Sequence, residues 1–135
     1  MIITDVTALG RAATSTGAVI RWGCLARRGM LHSECEAVDY LELSPRAVVT
    51  MDGRTGAEEA WYVLDGCAEF SDPTTGVYAD VAAGHLALRP AGASPILRNA
   101  SSDTPLRLLL VVVLPRAVSD RLPPRSPVAD REVRS

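Results

Sequence analysis

The sequence predicts an all-β domain, arranged as a β-sandwich or a small barrel. No stretch holds a helical apolar period over three turns, whereas short runs rich in β-branched and aromatic residues recur between Gly, Pro and Asp. About nine such runs at this spacing are typical of sandwiches and barrels. With 135 residues, the chain is long enough to enclose one hydrophobic core.

The predicted strands follow one another closely along the chain. They cover residues 18–25, 37–43, 47–51, 60–64, 67–71, 77–81, 86–89, 95–99 and 106–114. Asp65-Gly66, between two apolar runs, predicts a two-residue hairpin. Residues 1–115 are therefore expected to form a single domain. From Pro115 onward, four prolines and mixed charges predict an extended tail over 116–135, which is disordered or wraps a neighbouring chain.

Composition excludes several classes of protein. The net charge is −2 and the arginines form no basic stripe, so we expect no nucleic-acid partner. The longest apolar run, residues 108–114, is too short to span a membrane, and the N-terminus lacks the pattern of a secretory signal. Three cysteines without a CxxC pair are typical of a reduced compartment, so a cytoplasmic location is predicted.

The turn residues and strand spacing resemble those of cupins, which are small double-stranded β-helix, or jelly-roll, barrels. The second cupin motif, G-x5-P-x-G-x2-H-x3-N, is matched at Gly84, Pro90, Gly92 and Asn99 in "GHLALRPAGASPILRN". In the first motif, the glutamate and the closing glycine are matched by "EAWYVLDG", residues 59–66. The resemblance covers residues 37 to 115, with the motif residues between 45 and 99. It implies an all-β cupin barrel and, as in many small cupins, a homodimer.

The metal-binding histidines of cupins are absent. In the register that the resemblance implies, Asp52 and Arg54 stand at the two histidines of the first motif, and Pro95 stands at the histidine of the second. Of the four usual ligands only Glu59 remains. Because an arginine brings a positive charge and no lone pair, we expect no bound metal and no cofactor.

Strand alternation predicts which side chains line the pocket. Glu59, Trp61 and Val63 share one face, and the resemblance makes it the inward one. By the same alternation, Leu97 and Asn99 are expected to line the pocket, on the same face as Pro95. Tyr40 is a further substrate-binding candidate, although the phase of its strand is not fixed by the sequence.

The predicted chemistry is acid–base catalysis without a metal. Arg54 would stabilise developing negative charge, Glu59 or Asp52 would move a proton, and Trp61 and Asn99 would position the substrate. His32, in "LHSECEAVDY", is an outside candidate for an acid–base residue. Two structural interpretations remain open: Arg54 forms a buried salt bridge that fills a vacated metal site, or it turns out to solvent.

The resemblance also implies a functional context. Small single-domain cupins often accompany polyketide or other natural-product pathways, which favours a cyclase or isomerase acting on a small apolar, carbonyl-bearing intermediate. The alternatives are a sensor or carrier that binds a small ligand, a metallo-cupin with an atypical ligand set, and an interaction protein with a vestigial pocket.

Overall fold

A computed structural model of the chain describes residues 3–6, 9–13, 17–28, 30, 34–50 and 56–121. The strands are β1 (Gly10–Ala13), β2 (Val19–Arg27), β3 (Cys35–Leu43), β4 (Val48–Thr50), β5 (Glu58–Asp65), β6 (Cys67–Asp72), β7 (Val77–Ala82), β8 (Leu86–Arg89), β9 (Ile96–Asn99) and β10 (Leu106–Val113). One helical turn, α1 (Arg116–Ser119), follows the last strand. The all-β prediction is confirmed.

The strands form two antiparallel sheets. The larger sheet has the order β1-β2-β3-β10-β5-β8, and the smaller has the order β4-β9-β6-β7. Aliphatic side chains from both sheets meet between them, with Leu43, Leu97, Leu106 and Leu108 wholly buried. Along β5, residues 59, 61 and 63 are buried while Tyr62 and Leu64 are exposed, so the predicted alternation of this strand is confirmed.

β1 was not among the predicted strands. Its sequence, GRAA, contains no β-branched or aromatic residue, and the segment is held by pairing with β2. Gly10 is required there because a Cβ at this position would lie 2.8 Å from the Trp22 ring. The strand therefore depends on a tertiary contact that no local pattern reports.

The predicted hairpin at Asp65-Gly66 is wrong. β5 pairs with β10 and β8, whereas β6 pairs with β7 and β9, so the chain crosses from one sheet to the other at this point. The chain changes direction at Gly66, whose φ is 92°. The local signal for a turn was correct, but a turn between two apolar runs does not reveal whether the runs pair with each other.

The first residues of the predicted extended tail form a helical turn instead. Residues 116–119 form the helical turn α1, and Val118 lies within 3.6 Å of the place that a Cβ on Gly56 would occupy. Residues 122–135 lie outside the described residues. No helix among the residues that the structure describes is long and apolar enough to cross a membrane.

The corner at Gly66 makes a testable prediction. A Cβ on Gly66 would lie 3.2 Å from the Pro105 carbonyl oxygen, whereas a Cβ on Gly76, with φ of 71°, would meet nothing within 4 Å. Both Gly66→Ala and Gly76→Ala should lose about 1–2 kcal/mol from the left-handed backbone alone. Gly66→Ala should lose more than Gly76→Ala because of the added contact, as measured by urea unfolding. Equal losses would contradict this account of the corner.

Candidate active site

The inner face of the larger sheet carries a row of charged side chains at one end. Cross-strand neighbours on β2, β3, β10, β5 and β8 form this inner charged row, which consists of Arg27, Ala37, Val112, Glu59 and Arg89. The three charged members are at most 9% exposed. Three ionisable side chains at one buried end of a domain are unusual and mark it as a candidate site.

The next row inward is mixed, and the row after it is apolar. The second row contains Cys24, Asp39, Leu110, Trp61 and Ala87. The third contains Trp22, Leu41, Leu108 and Val63. Polarity therefore falls steadily from the charged end of the sandwich toward its aliphatic centre.

Glu59 is held by two donors. Its Oε2 accepts a hydrogen bond from Arg89 Nε at 2.9 Å and another from Trp61 Nε1 at 3.1 Å. The Arg89 contact is also an ion pair in which both side chains are more than nine-tenths buried. None of the described residues donates a hydrogen bond to Oε1, the other carboxylate oxygen. The Glu59 carboxylate is thus held in place through Oε2, while Oε1 can still accept a hydrogen bond.

Besides Glu59, the Arg89 guanidinium donates hydrogen bonds to backbone carbonyl oxygens. Nη1 donates to the Ala93 carbonyl at 2.8 Å and, more weakly, to the Pro90 carbonyl at 3.5 Å. Nη2 donates to the Ala57 carbonyl at 3.2 Å. All three guanidinium nitrogens have partners, so this arginine ties the start of β5 to the turn that follows β8.

Arg89 was not among the predicted site residues. In β8, sequence LALR, the two leucines lie on one face and Ala87 and Arg89 on the other, a pattern that suggests that the leucines face inward. The structure shows the opposite: Leu86 is 55% and Leu88 73% exposed, while Arg89 is buried. The pairing of Glu59 with Arg89 across β5 and β8 could have been found only from the strand register.

Trp61 supports Glu59 and also belongs to the core. The indole is wholly buried and packs edge-to-face against Phe70, with ring centroids 6.1 Å apart. Its Nε1–H donates the hydrogen bond to Glu59 Oε2. Val63 and Leu97 are likewise wholly buried in the cluster between the sheets.

Asn99 fastens three chain segments together. Its Nδ2 lies within 3.1 Å of the carbonyl oxygens of Leu43, Ser44 and Thr104. Its Oδ1 accepts a hydrogen bond from the Ser101 N–H. The side chain is wholly buried, and these contacts engage both of its polar atoms. Pro95 and Leu97 share its inward face, as the strand parity predicted.

Tyr40 faces away from the predicted pocket. It lies opposite Leu109 on the outer face of the larger sheet, and its hydroxyl donates to Glu42. Burial, and then the Glu42 carboxylate, raises the pKa of Tyr40 above its ordinary value. The remaining predicted residues, His32, Asp52 and Arg54, lie outside the described residues.

A cavity lies at the edge of the larger sheet, where β5 and β8 carry Glu59 and Arg89. It has a volume of about 330 Å³ and is lined by Glu58, Glu59, Ala60, Leu88, Arg89, Pro90 and Val113. This volume is at the lower end of the range for small-molecule sites. The lining combines the buried Glu59–Arg89 pair and the exposed Glu58 with four apolar residues.

The described residues do not fit a divalent metal. Nowhere in the part of the chain that the structure describes are three His, Cys, Asp or Glu side chains grouped as a metal site would require. Glu59, the ligand position that the resemblance retains, has a guanidinium nitrogen 2.9 Å from its Oε2. The charge of that guanidinium opposes a cation at the same carboxylate.

Solved structures share this architecture. A predicted oxalate decarboxylase from Thermotoga maritima matches 85% of this chain and 100% of its own, with a TM-score of 0.73 and 22% identity. A Cupin 2 conserved barrel domain protein from Salinispora arenicola matches 90% of this chain and 94% of its own, with a TM-score of 0.69 and 17% identity. The Cupin_2 domain of an XRE family transcriptional regulator from Enterobacter cloacae matches 72% of this chain and 98% of its own, with a TM-score of 0.62 and 17% identity.

At these identities the likeness concerns the fold alone. No protein-family model matches the sequence, and no curated protein matches it.

The Glu59–Arg89 pair makes a prediction about stability. Arg89→Met leaves a buried carboxylate without its cation, and Glu59→Gln leaves a buried guanidinium without its anion. Each variant should lose about 3–5 kcal/mol of unfolding free energy, and the double variant should lose clearly less than the sum. Chemical denaturation of the four proteins measures this coupling.

The Arg21–Glu42 pair provides a matched control. Its N···O distance is 3.2 Å, but the Arg21 side chain is 48% exposed. Arg21→Met should therefore cost less than about 1 kcal/mol. Additive losses at Glu59 and Arg89, or a loss at Arg21 as large as at Arg89, would contradict the assignment of a coupled buried pair.

Proposed function

We propose, on the premise that the chain has the cupin fold, that it is a cytoplasmic, metal-independent enzyme of natural-product, polyketide-like biosynthesis. It acts on a small apolar, carbonyl-bearing intermediate as a cyclase or isomerase. The observation that carries this proposal is Glu59: it is buried at the cavity, fixed through Oε2, and receives no hydrogen bond at Oε1 from a described residue.

Glu59 is proposed as the proton-transferring residue. The Arg89 guanidinium stabilises the negative charge of the carboxylate, and the Trp61 N–H restricts its rotation. Oε1 is then available to take a proton from a carbon next to the substrate carbonyl and to return it elsewhere. A carboxylate that is held in place before the substrate arrives reduces the reorganisation needed in the transition state.

A second group must stabilise the charge that develops on the substrate oxygen. Arg89 is poorly suited to this role, because its three guanidinium nitrogens already have acceptors in the protein. We therefore assign the role to Arg54, with Asp52 as a second carboxylate and His32 as a further acid–base candidate. A guanidinium aimed at an enolate oxygen supplies the electrostatic stabilisation that a metal would otherwise provide.

The cavity wall suits an apolar substrate. Leu88, Pro90 and Val113 contribute to the wall near Glu59. Trp61, Val63, Leu97 and Asn99 are proposed to act behind this wall, where they fix its shape and position Glu59, since all four are wholly buried. The substrate specificity would then follow from cavity shape, with few polar contacts.

The second candidate function is a ligand-binding protein without turnover, a sensor or carrier. The hydrogen bonding of Arg89 favours it, because an arginine engaged by Glu59 and by the carbonyls of Ala57 and Ala93 also suits a purely structural pair. One similar fold is a domain of a transcriptional regulator, which suits a sensing role. This candidate predicts a small molecule that co-purifies unchanged.

Metabolite profiling of a strain without this gene distinguishes the two. An enzyme predicts accumulation of an uncyclised or unisomerised precursor, and the wild-type gene should remove it. Glu59→Gln and Arg54→Ala should fail to do so, because loss of an acid–base or charge-stabilising group lowers the rate by about 10²–10⁴-fold.

Control variants separate catalysis from folding. Glu69→Gln changes a carboxylate whose Arg98 partner is 3.7 Å away and 54% exposed, so it should restore the product as wild type does. Thermal unfolding of each purified variant verifies that it is folded. If folded Glu59→Gln and Arg54→Ala both restore the product, the enzyme proposal is wrong, and an unchanged metabolite profile in the deletion strain favours the binding protein.

A further inference from the structure

One edge of the smaller sheet is open. β7 is the last strand of that sheet, and among the described residues it pairs only with β6. Val77 and Tyr78, at the start of the strand, are each 60% exposed. An exposed edge strand with apolar side chains is a place where another extended chain can pair.

The alternation of hydrogen bonds shows which backbone groups face the open edge. In an antiparallel pair, successive residues direct their N–H and C=O groups alternately toward the partner strand and away from it. The Ala83 N–H donates to the Gly66 carbonyl oxygen at 3.1 Å, which fixes the phase of β7 against β6. The residues whose backbone groups face β6 are therefore Val77, Ala79 and Val81. Tyr78 and Asp80, which alternate with them, direct their backbone groups to the open edge.

The side chains beside this edge bring two carboxylates together. Asp80 lies directly opposite Glu69 of β6. Residues that face each other without backbone hydrogen bonds between them have Cα atoms about 4.5 Å apart, and like charges at such positions destabilise a sheet. The Tyr78 hydroxyl donates to Asp80 Oδ1 at 3.2 Å, but it brings no positive charge.

The negative charge of this pair is only partly compensated. Arg98 Nη1 lies 3.7 Å from Glu69 Oε2, and the Arg98 side chain is 54% exposed. In the part of the chain that the structure describes, Asp80 forms no salt bridge. A cation brought to the open edge would relieve the repulsion between Asp80 and Glu69, whereas a second copy of β7 would add further carboxylates to it.

We propose that an extended, basic peptide segment of another protein binds along β7 as an added antiparallel strand of the smaller sheet. Its backbone exchanges hydrogen bonds with Tyr78 and Asp80, and its arginine or lysine lies opposite Asp80. Its alternate residues are apolar and pack beside Val77 and Ala79. β7 contributes no residue to the lining of the cavity, so the cavity stays free for a substrate and the proposal is independent of the proposed reaction.

Fluorescence anisotropy of a labelled, C-terminally amidated peptide, Val-Arg-Val-Thr-Val, tests the proposal with the full-length protein. In the antiparallel register its arginine lies opposite Asp80 and its threonine opposite Tyr78. Wild-type protein should bind it saturably, and Asp80→Asn should raise the Kd about 5-fold because the opposite-charge pair is lost. Asp80→Arg should reverse the preference, so that it binds the peptide with glutamate in place of arginine more tightly than wild-type protein does.

Two N-methylated peptides separate strand pairing from charge attraction. Methylation of the threonine nitrogen removes an N–H that points toward β7, and it should raise the Kd at least about 10-fold. Methylation of the central valine nitrogen, which lies opposite Ala79, blocks an N–H that points away from β7. It should leave the Kd close to that of the unmodified peptide.

Asp120→Asn is the matched control variant. The Asp120 side chain, on the other side of the chain's last helical turn from Arg116, is 69% exposed, so the substitution removes a comparable charge away from β7. It should bind the peptide as wild-type protein does. Absence of saturable binding to wild-type protein overturns the proposal, as do equal Kd values for Asp80→Asn and Asp120→Asn. Equal losses from the two methylated peptides also overturn it, because charge attraction alone would then explain the binding.

Discussion

A carboxylate and a guanidinium lie together between the sheets, Glu59 on β5 and Arg89 on β8, and removal of either one would leave an uncompensated buried charge. The pair joins neighbouring strands at one end of the sandwich. Through its remaining donors, Arg89 also holds the Ala57 and Ala93 carbonyls, so the entrance to β5 and the turn after β8 are fixed by the same side chain. Arg89, which also lines the cavity, therefore links two of the chain segments beside it.

The pair also limits the chemistry that this end can support. A guanidinium attracts anions and stabilises an oxyanion or enolate, but it cannot activate dioxygen or lower the pKa of a bound water as a metal ion does. Since Arg89 is already bonded to the protein, its effect on a substrate would be indirect, through the position and charge of Glu59. In the proposed function, Glu59 is therefore the proton-transferring residue, and Asp52, Arg54 and His32 are the other residues proposed to act on the substrate.

Much of the fold could be predicted from the sequence, because it depends on local alternation and turn residues. The alternation in β5 placed Glu59, Trp61 and Val63 inside, and the spacing from Gly84 to Asn99 placed Leu97 and Asn99 on the same face. The sequence could not reveal the partner of Glu59, because β8 presents its leucines to solvent and its arginine to the core. The outward orientation of Tyr40 and the crossing at Gly66 depend on which strands pair, which local patterns do not encode.

Metal content tests most directly the claim that the Glu59–Arg89 ion pair makes this carboxylate unsuited to bind a divalent metal. Elemental analysis of the purified, tag-free protein should find iron, zinc and nickel well below an equimolar amount, and added metal should not raise the unfolding temperature. The reason is that the Arg89 guanidinium already neutralises the Glu59 carboxylate. A tightly bound, equimolar metal ion that is lost together with activity in chelator would contradict the account.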